Sequence, residues 1–297
     1  MTKVFIGMPA YNGERFIREA IESLLNQSFS DFVLFISDDA STDSTRAICE
    51  EFTKKDPRIT YFRQEKNIGM FPNFKFLLDN ADNEYFMWAA QDDIREPDYL
   101  GVCVKHLNEN KDLGVATTCT TLIDSKGEPV LDELELARLS GKSSFTSVAR
   151  YILQPEILGK CNLMYGVWRT EATRATWKAY PQRTTWGQDY MFSLALIARF
   201  PIFVDGRTLF KKRFGGFSNP GGLEGDRIEE FRKTKLRNPK NCMFPFVRFK
   251  GYFNGHVEAL RGTPYLLGAA LLLIRLPRAF VIYVKRKNFR KIFRPKN

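Results

Sequence analysis

Two pairs of aspartates, each a few residues or less beyond a short apolar run, are the residues best suited to chemistry in this chain. Asp38 and Asp39 follow the run 32–36, and Asp92 and Asp93 follow the run 85–88. Carboxylate oxygens are the ligands that Mg²⁺ and Mn²⁺ prefer, and a divalent metal neutralises phosphate charge without any proton transfer. From local sequence, the alternative for both pairs is that they cap a helix or stabilise a turn.

Three further residues could bind or activate a substrate. Asp189 stands just before an apolar helix predicted over 190–198, where it is either a general base or a helix cap. Arg213 could hold a diphosphate through charge-assisted hydrogen bonds, or it could be a solvated charge. Tyr11 could stack on a nucleotide base, or it could simply fill space in the core. The chain has only two histidines, which argues against a histidine-rich metal site and against a Ser-His-Asp mechanism.

The elements that must position these residues alternate along the first 120 residues. Apolar runs predict strands over 4–8, 32–36, 59–62, 85–88 and 114–121. Helical spacing predicts helices over 14–27, 41–52 and 71–78, and after Pro97. Such alternation predicts an α/β fold with a mainly parallel sheet flanked by helices. The polar groups 9–12, 37–39 and 91–93 then meet beyond the carboxyl ends of the strands, where such sheets bind ligands.

The rest of the chain is less regular until its end, which is strongly basic. Residues 124–185 contain one predicted helix, over 147–153, and we interpret them as an inserted acceptor-binding section. Residues 240–297 hold 13 Lys/Arg and one acid, a charge of +12, whereas the whole chain carries +11. The segment 264–284 is apolar but interrupted by two arginines and a proline, which predicts interfacial helices instead of a membrane span.

Taken together, several segments resemble family 2 of the inverting glycosyltransferases with the GT-A fold. The matching motifs, in order, are 8–14 (MPAYNGE), 23–29 with 36–43, 66–69 with Asn73 and Phe74, 91–94 (QDDI) and 186–189 (WGQD). The resemblance covers roughly residues 3–218. It implies a Rossmann-like GT-A domain with a nucleotide-sugar-binding half (1–120) and an acceptor-binding, catalytic-base half (121–225). A basic, amphipathic, membrane-associating helical extension (226–297) follows in this prediction.

The resemblance also implies a role for each site residue. Asp189 would be the catalytic base, and Asp92 and Asp93 would contact the ribose and an Mn²⁺ or Mg²⁺ ion. The donor nucleotide would be bound by Pro9, Ala10, Tyr11, Glu14, Asp39, Asp92 and Arg213. Because Gly215 stands where many relatives have a histidine, a third protein ligand for the metal is missing, and affinity would rest on the donor phosphates. Ala90 stands where many relatives have another aspartate, so which of Asp92 and Asp93 ligates the metal stays open, and Gln188 replaces the usual glutamate beside the base.

The predicted activity is transfer of a sugar from a UDP- or dTDP-linked donor to a saccharide acceptor hydroxyl with inversion, in bacterial surface polysaccharide biosynthesis. The chain opens on a strand pattern without a signal peptide, which predicts a cytoplasmic enzyme. A tail that meets the inner membrane face would favour a lipid-linked acceptor, and no nucleic acid is expected as a partner. Two alternatives remain: a sugar-nucleotide nucleotidyltransferase, and a non-catalytic protein whose basic tail binds nucleic acid or membrane.

Overall fold

A single nine-stranded sheet organises the described part of the chain. The computed structural model of the protein describes residues 3–141, 145–153, 159–180, 187–213 and 249–271. The strands are β1 (Val4–Ala10), β2 (Phe32–Asp38), β3 (Ile59–Arg63), β4 (Tyr85–Trp88), β5 (Ile94–Arg95), β6 (Val115–Ile123), β7 (Pro129–Glu133), β8 (Val167–Arg169) and β9 (Ile202–Arg213). The α-helices are α1 (Ile17–Leu25), α2 (Thr45–Lys55), α3 (Met70–Asp79), α4 (Tyr99–Glu109), α5 (Phe145–Leu153), α6 (Thr170–Ala179), α7 (Gln188–Ile197) and α8 (Phe249–Leu260).

The predicted strands and helices of the first 120 residues are present, but the sheet is mixed, not mainly parallel. The strand order is β3-β2-β1-β4-β8-β6-β9-β5, and β7 pairs with β6. Strands β1 to β4 pair in parallel, as do β6 and β9. Strand β8 runs antiparallel to both β4 and β6, and β5 runs antiparallel to β9. The prediction missed β8 and β5 because strands of three and two residues carry no readable periodicity.

The section interpreted as an insertion contributes to the centre of the fold. Residues 124–180 contain β7, α5, β8 and α6, together with 3₁₀ turns at Glu135–Leu139 and Lys160–Tyr165. Strand β8 lies between β4 and β6 and joins the two halves of the sheet. The segment is therefore not peripheral to the domain, because without it the sheet would be interrupted.

An aromatic cluster packs β4 and β8 against α7. The Trp88 ring lies 4.7 Å from the ring of Phe86, 6.2 Å from Trp168 and 5.7 Å from Phe192 of α7. All four side chains are buried. Large buried aromatic rings contribute heavily to core stability, so α7 is anchored to the middle of the sheet.

The described part of the predicted C-terminal extension packs on the same domain. Helix α8 contacts α7, and Ala259 and Leu260 are buried. Arg199 donates to the carbonyl oxygen of Ala259 (2.8 Å) and to that of Arg261 (2.7 Å). No helix within the described ranges is long and apolar enough to span a membrane. The described residues do not include the basic segment that follows residue 271. They also do not include Trp186 or Gly215.

Candidate active site

Gln91 holds the turn that follows β1. Its side-chain oxygen accepts a hydrogen bond from the Tyr11 N–H (2.9 Å), and its Nε2 donates to the Tyr11 carbonyl oxygen (3.0 Å). Gly13 passes so close that a Cβ there would lie 2.4 Å from Gln91 Oε1. Tyr11 is partly exposed, as is Pro9 at the end of β1, whereas Ala10 is buried. The predicted nucleotide-binding turn is thus fixed to the loop that carries Asp92 and Asp93.

The loops after β1 and β2 are bonded to each other. Asn12 N–H donates to Ser41 Oγ (2.9 Å), and Asn12 Oδ1 accepts from the Thr42 N–H (2.8 Å). The exposed Glu14 carboxylate accepts from the Ser44 N–H (3.0 Å), so in this structure it supports the start of α2. Asn12 has a φ of 47°, which asparagine tolerates better than most residues. These bonds place the two loops at one edge of the sheet.

Asp38 and Asp39 have different environments although they are adjacent. Asp38 is buried and accepts from the Tyr61 hydroxyl (2.6 Å) and from Arg63 Nη1 (3.0 Å), so it stabilises the sheet edge. Asp39 is also buried, and its two oxygens accept from the backbone N–H groups of Ile68 (2.7 Å) and Gly69 (3.0 Å). Asp39 therefore orders the loop before α3, and each oxygen keeps a further lone pair for a ligand.

The end of β9 holds the second aspartate pair in place. The Arg213 N–H donates to Asp93 Oδ1 (2.9 Å), and Arg213 Nε donates to the Asp92 carbonyl oxygen (3.0 Å). The other two guanidinium nitrogens donate to the Asp124 carbonyl oxygen and to the Glu19 carboxylate. Arg213 is buried, and all three nitrogens serve protein acceptors. This arrangement differs from the predicted contact between Arg213 and a diphosphate.

One oxygen of Asp93 fits a metal ligand. Asp93 is 4% exposed, and its Oδ2 is buried without a hydrogen-bond partner among the described residues. A buried carboxylate oxygen without a donor is costly unless a cation or a ligand satisfies it. Within the described ranges, no group of three or more His, Cys, Asp or Glu side chains could hold a metal by itself. The aspartate pair thus suits a divalent ion whose remaining ligands come from substrate.

Asp189 lies in the first turn of α7, two residues after a glycine in the left-handed conformation (Gly187, φ 61°). Its Oδ1 accepts from the Tyr190 N–H (2.9 Å). Desolvation raises the pKa of Asp189 above 3.8, and the nearby Lys212 acts in the opposite direction. A partly buried carboxylate with a raised pKa at a helix start is a suitable general base.

Lys212 connects the two acidic regions electrostatically, and the sequence prediction missed it. Desolvation lowers the pKa of the Lys212 ammonium, but Cys161 and Tyr165, followed by the carboxylates of Asp93 and Asp189, raise it, and the net shift is upward. The ammonium donates to Asn162 Oδ1 (3.1 Å) and lies 4.8 Å from the centre of the Tyr165 ring. The Arg213 N–H, one residue further along β9, bonds Asp93, and Lys212 favours the ionised form of Asp189, so the end of β9 lies near both carboxylates. The sequence shows three consecutive bases here, Lys211, Lys212 and Arg213, and successive side chains of a strand point to opposite faces. This pattern could have indicated that Lys212 and Arg213 have different surroundings.

Known proteins resemble both the sequence and the fold. The family model described as glycosyl transferase family 2 matches residues 5–164. Glycosyltransferase GlyA of Streptococcus pneumoniae is 32% identical over 107 residues, which are 36% of this chain and 15% of GlyA. Chondroitin synthase of Escherichia coli is 34% identical over 125 residues, 42% of this chain and 18% of that protein.

A third relative is the GalNAc(5)-diNAcBac-PP-undecaprenol beta-1,3-glucosyltransferase of Campylobacter jejuni. It is 32% identical over 110 residues, which are 37% of this chain and 36% of the relative. The chain therefore spans less than two thirds of the length of each of these three curated relatives.

Two solved structures share the architecture at low sequence identity. TarS residues 1–349 of S. aureus, in complex with UDP-GlcNAc, aligns with a TM-score of 0.63 and 18% identity over 94% of this chain and 73% of that one. The mannosyltransferase PcManGT of Pyrobaculum calidifontis, in complex with GDP-Man and Mn²⁺, aligns with a TM-score of 0.59 and 14% identity over 96% of this chain and 75% of the other. The mixed sheet with flanking helices is thus similar to that of GT-A glycosyltransferases.

Proposed function

This chain belongs to glycosyl transferase family 2, and from that membership we propose that it moves a sugar from a UDP- or dTDP-linked donor to a saccharide hydroxyl with inversion. The observation that carries the proposal is the arrangement at one edge of the sheet. The turn after β1, the loop after β2 and the loop of Asp92 and Asp93 are bonded to one another. The end of β9 bonds Asp93 through the Arg213 N–H, and the neighbouring Lys212 favours the ionised form of Asp189.

On the donor side, the proposal assigns nucleotide contacts to the turn after β1 and to Asp39. Tyr11 is partly exposed and Gln91 fixes its backbone, so its ring is proposed to lie against the base. Asp92 and Asp93 would hold Mn²⁺ or Mg²⁺ together with the donor phosphates, which fits the unpartnered Asp93 Oδ2. When bound, such an ion offsets the negative charge that builds up on the departing diphosphate.

On the acceptor side, Asp189 is proposed to act as the base. Its carboxylate takes the proton of the acceptor hydroxyl, and the hydroxyl oxygen forms a bond to the anomeric carbon. The bond from that carbon to the diphosphate oxygen breaks on the opposite face, and the electron pair leaves with the diphosphate. A single displacement of this kind inverts the anomeric configuration. Arg213 is proposed to contribute indirectly, because its backbone N–H and guanidinium fix the loop of Asp92 and Asp93.

Family membership favours this activity over the two alternatives that the sequence left open. A nucleotidyltransferase would release pyrophosphate from a nucleoside triphosphate, whereas the proposed reaction releases a nucleoside diphosphate. A purely binding protein would not need a carboxylate with a raised pKa in the first turn of α7.

The acceptor is proposed to be a growing surface glycan, which is lipid-linked if the basic tail meets a membrane. Two relatives support this class, since one is named a chondroitin synthase and the other a glucosyltransferase of a PP-undecaprenol-linked saccharide. The composition of residues 272–297, with nine Lys/Arg and no acid, supports contact with anionic lipid.

Replacement of the base tests the proposal. Asp189→Asn keeps the size of the side chain but cannot accept the hydroxyl proton, so we expect kcat to fall by about 10²–10⁴-fold. Donor binding, measured by calorimetry, should stay unchanged. Asp82→Asn, at a side chain that is 75% exposed, is the matched control and should keep full activity. Turnover of Asp189→Asn near that of the wild type would remove Asp189 from the mechanism.

A further inference from the structure

Lys212 is a half-buried cation near the end of β9, directly before the residue whose backbone N–H bonds Asp93. It stands on β9 between Lys211, which pairs with Glu96, and Arg213, whose guanidinium serves protein acceptors. Because side chains alternate along a strand, Lys212 points to the opposite face from these two neighbours. On that face it experiences the charges of Asp93 and Asp189.

A buried polar network fixes the direction of the Lys212 side chain. The Asn162 amide nitrogen donates to Glu133 Oε2 (3.2 Å) and to Thr120 Oγ1 (3.2 Å). These two bonds turn Asn162 Oδ1 the other way, where it accepts from Lys212 Nζ (3.1 Å). Glu133, Asn162 and Thr120 are all buried. An ammonium that is held this firmly costs little further entropy when it binds a ligand.

The ammonium also keeps capacity for a ligand. It carries three N–H donors, of which the structure assigns one, to Asn162. The Tyr165 ring, 4.8 Å away, forms one side of its surroundings. Asp93 is proposed to hold the donor metal, and Asp189 is proposed to take the acceptor proton. A cation near both carboxylates would lie where negative charge develops on the diphosphate during transfer.

We propose that Lys212 binds the diphosphate of the donor between Asp93 and Asp189, and so performs the role that the sequence suggested for Arg213. This inference rests on the proposed sugar transfer. When the bond from the anomeric carbon to the diphosphate oxygen breaks, that oxygen takes the electron pair. Lys212 then donates a charge-assisted hydrogen bond to the diphosphate and keeps its own proton.

Calorimetric titration of nucleotides into the full chain with Mn²⁺ tests the inference. UDP, dTDP and GDP, each with the matching monophosphate, show how strongly the wild type prefers the diphosphate. We expect Lys212→Met to weaken binding of the preferred diphosphate by about tenfold and to leave the monophosphate nearly unchanged. Lys212→Arg should restore part of the preference, and Lys211→Met is the matched control on the same strand. Asn162→Leu, which keeps the cation but removes its hydrogen bond, should give an intermediate loss.

The outcomes separate the inference from the proposed function. If the wild type binds none of the three diphosphates more tightly than the monophosphates, both are overturned. In another outcome, the wild type prefers a diphosphate, Lys212→Met keeps that preference, and only the pH dependence of its transfer rate changes. Lys212 would then act on Asp189 alone. That result overturns the inference and leaves sugar transfer standing.

Discussion

At the scale of single residues, the protonation of Asp189 sets the pH range of the reaction. Desolvation raises its pKa above 3.8, and Lys212 opposes this shift, while Cys161 and the backbone N–H of Tyr190 also favour the carboxylate. Since a base must be ionised, kcat/KM should fall as pH is lowered. The midpoint of this fall should lie above the pKa of an ordinary aspartate. A rate profile over the acid range measures this. A profile that stays flat down to the ordinary range of aspartate would contradict the assignment.

Stability provides a control for the same shift. A carboxyl whose pKa is higher in the folded state stabilises the fold while it is protonated, and this contribution is lost as pH rises through the folded-state pKa. Asp189→Asn removes the cost of the desolvated charge. Its melting temperature should therefore exceed that of the wild type at neutral pH, and the difference should shrink in mild acid.

Removal of metal is the second prediction at the residue scale. Asp93→Asn keeps an acceptor for the Arg213 N–H but loses the charge of the unpartnered oxygen, so Mn²⁺ should bind at least about tenfold more weakly. The measurement is the thermal shift that Mn²⁺ produces in the presence of UDP, with Asp82→Asn as control. Excess EDTA should stop transfer, and undiminished transfer under chelation would exclude the proposed metal.

Residue chemistry could be predicted from sequence only where a motif carried it. Asp93 and Asp189 were predicted as site residues because the first follows an apolar element and the second precedes one. The contacts of Arg213 and Lys212 depend on which face of β9 meets the loop of Asp93. A one-residue shift along a strand exchanges the two faces, and the sequence KKR contains nothing that fixes this register.

At the scale of elements, the residue before α7 controls where Asp189 lies. Gly187 has a φ of 61°, and a side chain in this conformation costs about 1–2 kcal/mol. Gly187→Ala should lower the free energy of unfolding by that amount and reduce kcat, because relief of the strain moves the first turn of α7. Denaturant unfolding and kinetics measure both effects.

Gly206→Ala is the matched control for this change. A Cβ at Gly206 would meet no atom within 4 Å, and this glycine does not have a positive φ. Equal stability of the two variants would show that the backbone at residue 187 adapts without strain.

Regular elements were predictable to the extent that their periodicity was long enough. Strands β1 to β4 and helices α1 to α4 were predicted within a few residues, since each buries a clear apolar run or stripe. In the second half of the sheet, β6 was predicted, but β5 and β8 were not, because these short strands are fixed by pairing with distant strands. Their positions follow from tertiary contacts that a local pattern cannot contain.

At the scale of the whole molecule, charge is concentrated at the C-terminal end. We expect full-length protein to bind anionic liposomes in a salt-sensitive manner, with about 1 kcal/mol from each base near the surface. Replacement of Lys285, Arg286 and Lys287 by glutamine should weaken sedimentation with these liposomes. Replacement of three exposed lysines of the catalytic domain is the control, at Lys54, Lys111 and Lys126. Retention on RNA without retention on liposomes would favour a nucleic-acid partner instead.

The position of β8 has a consequence for how the chain assembles. On the ribosome, β4 is complete at residue 88, but its antiparallel neighbour emerges only with residues 167–169. Until then β4 is an edge strand with unpaired backbone N–H and C=O groups, and these groups can pair with a strand of another nascent chain. A product that stops at residue 164 would keep this margin permanently, so soluble expression should begin only when the gene extends beyond β8.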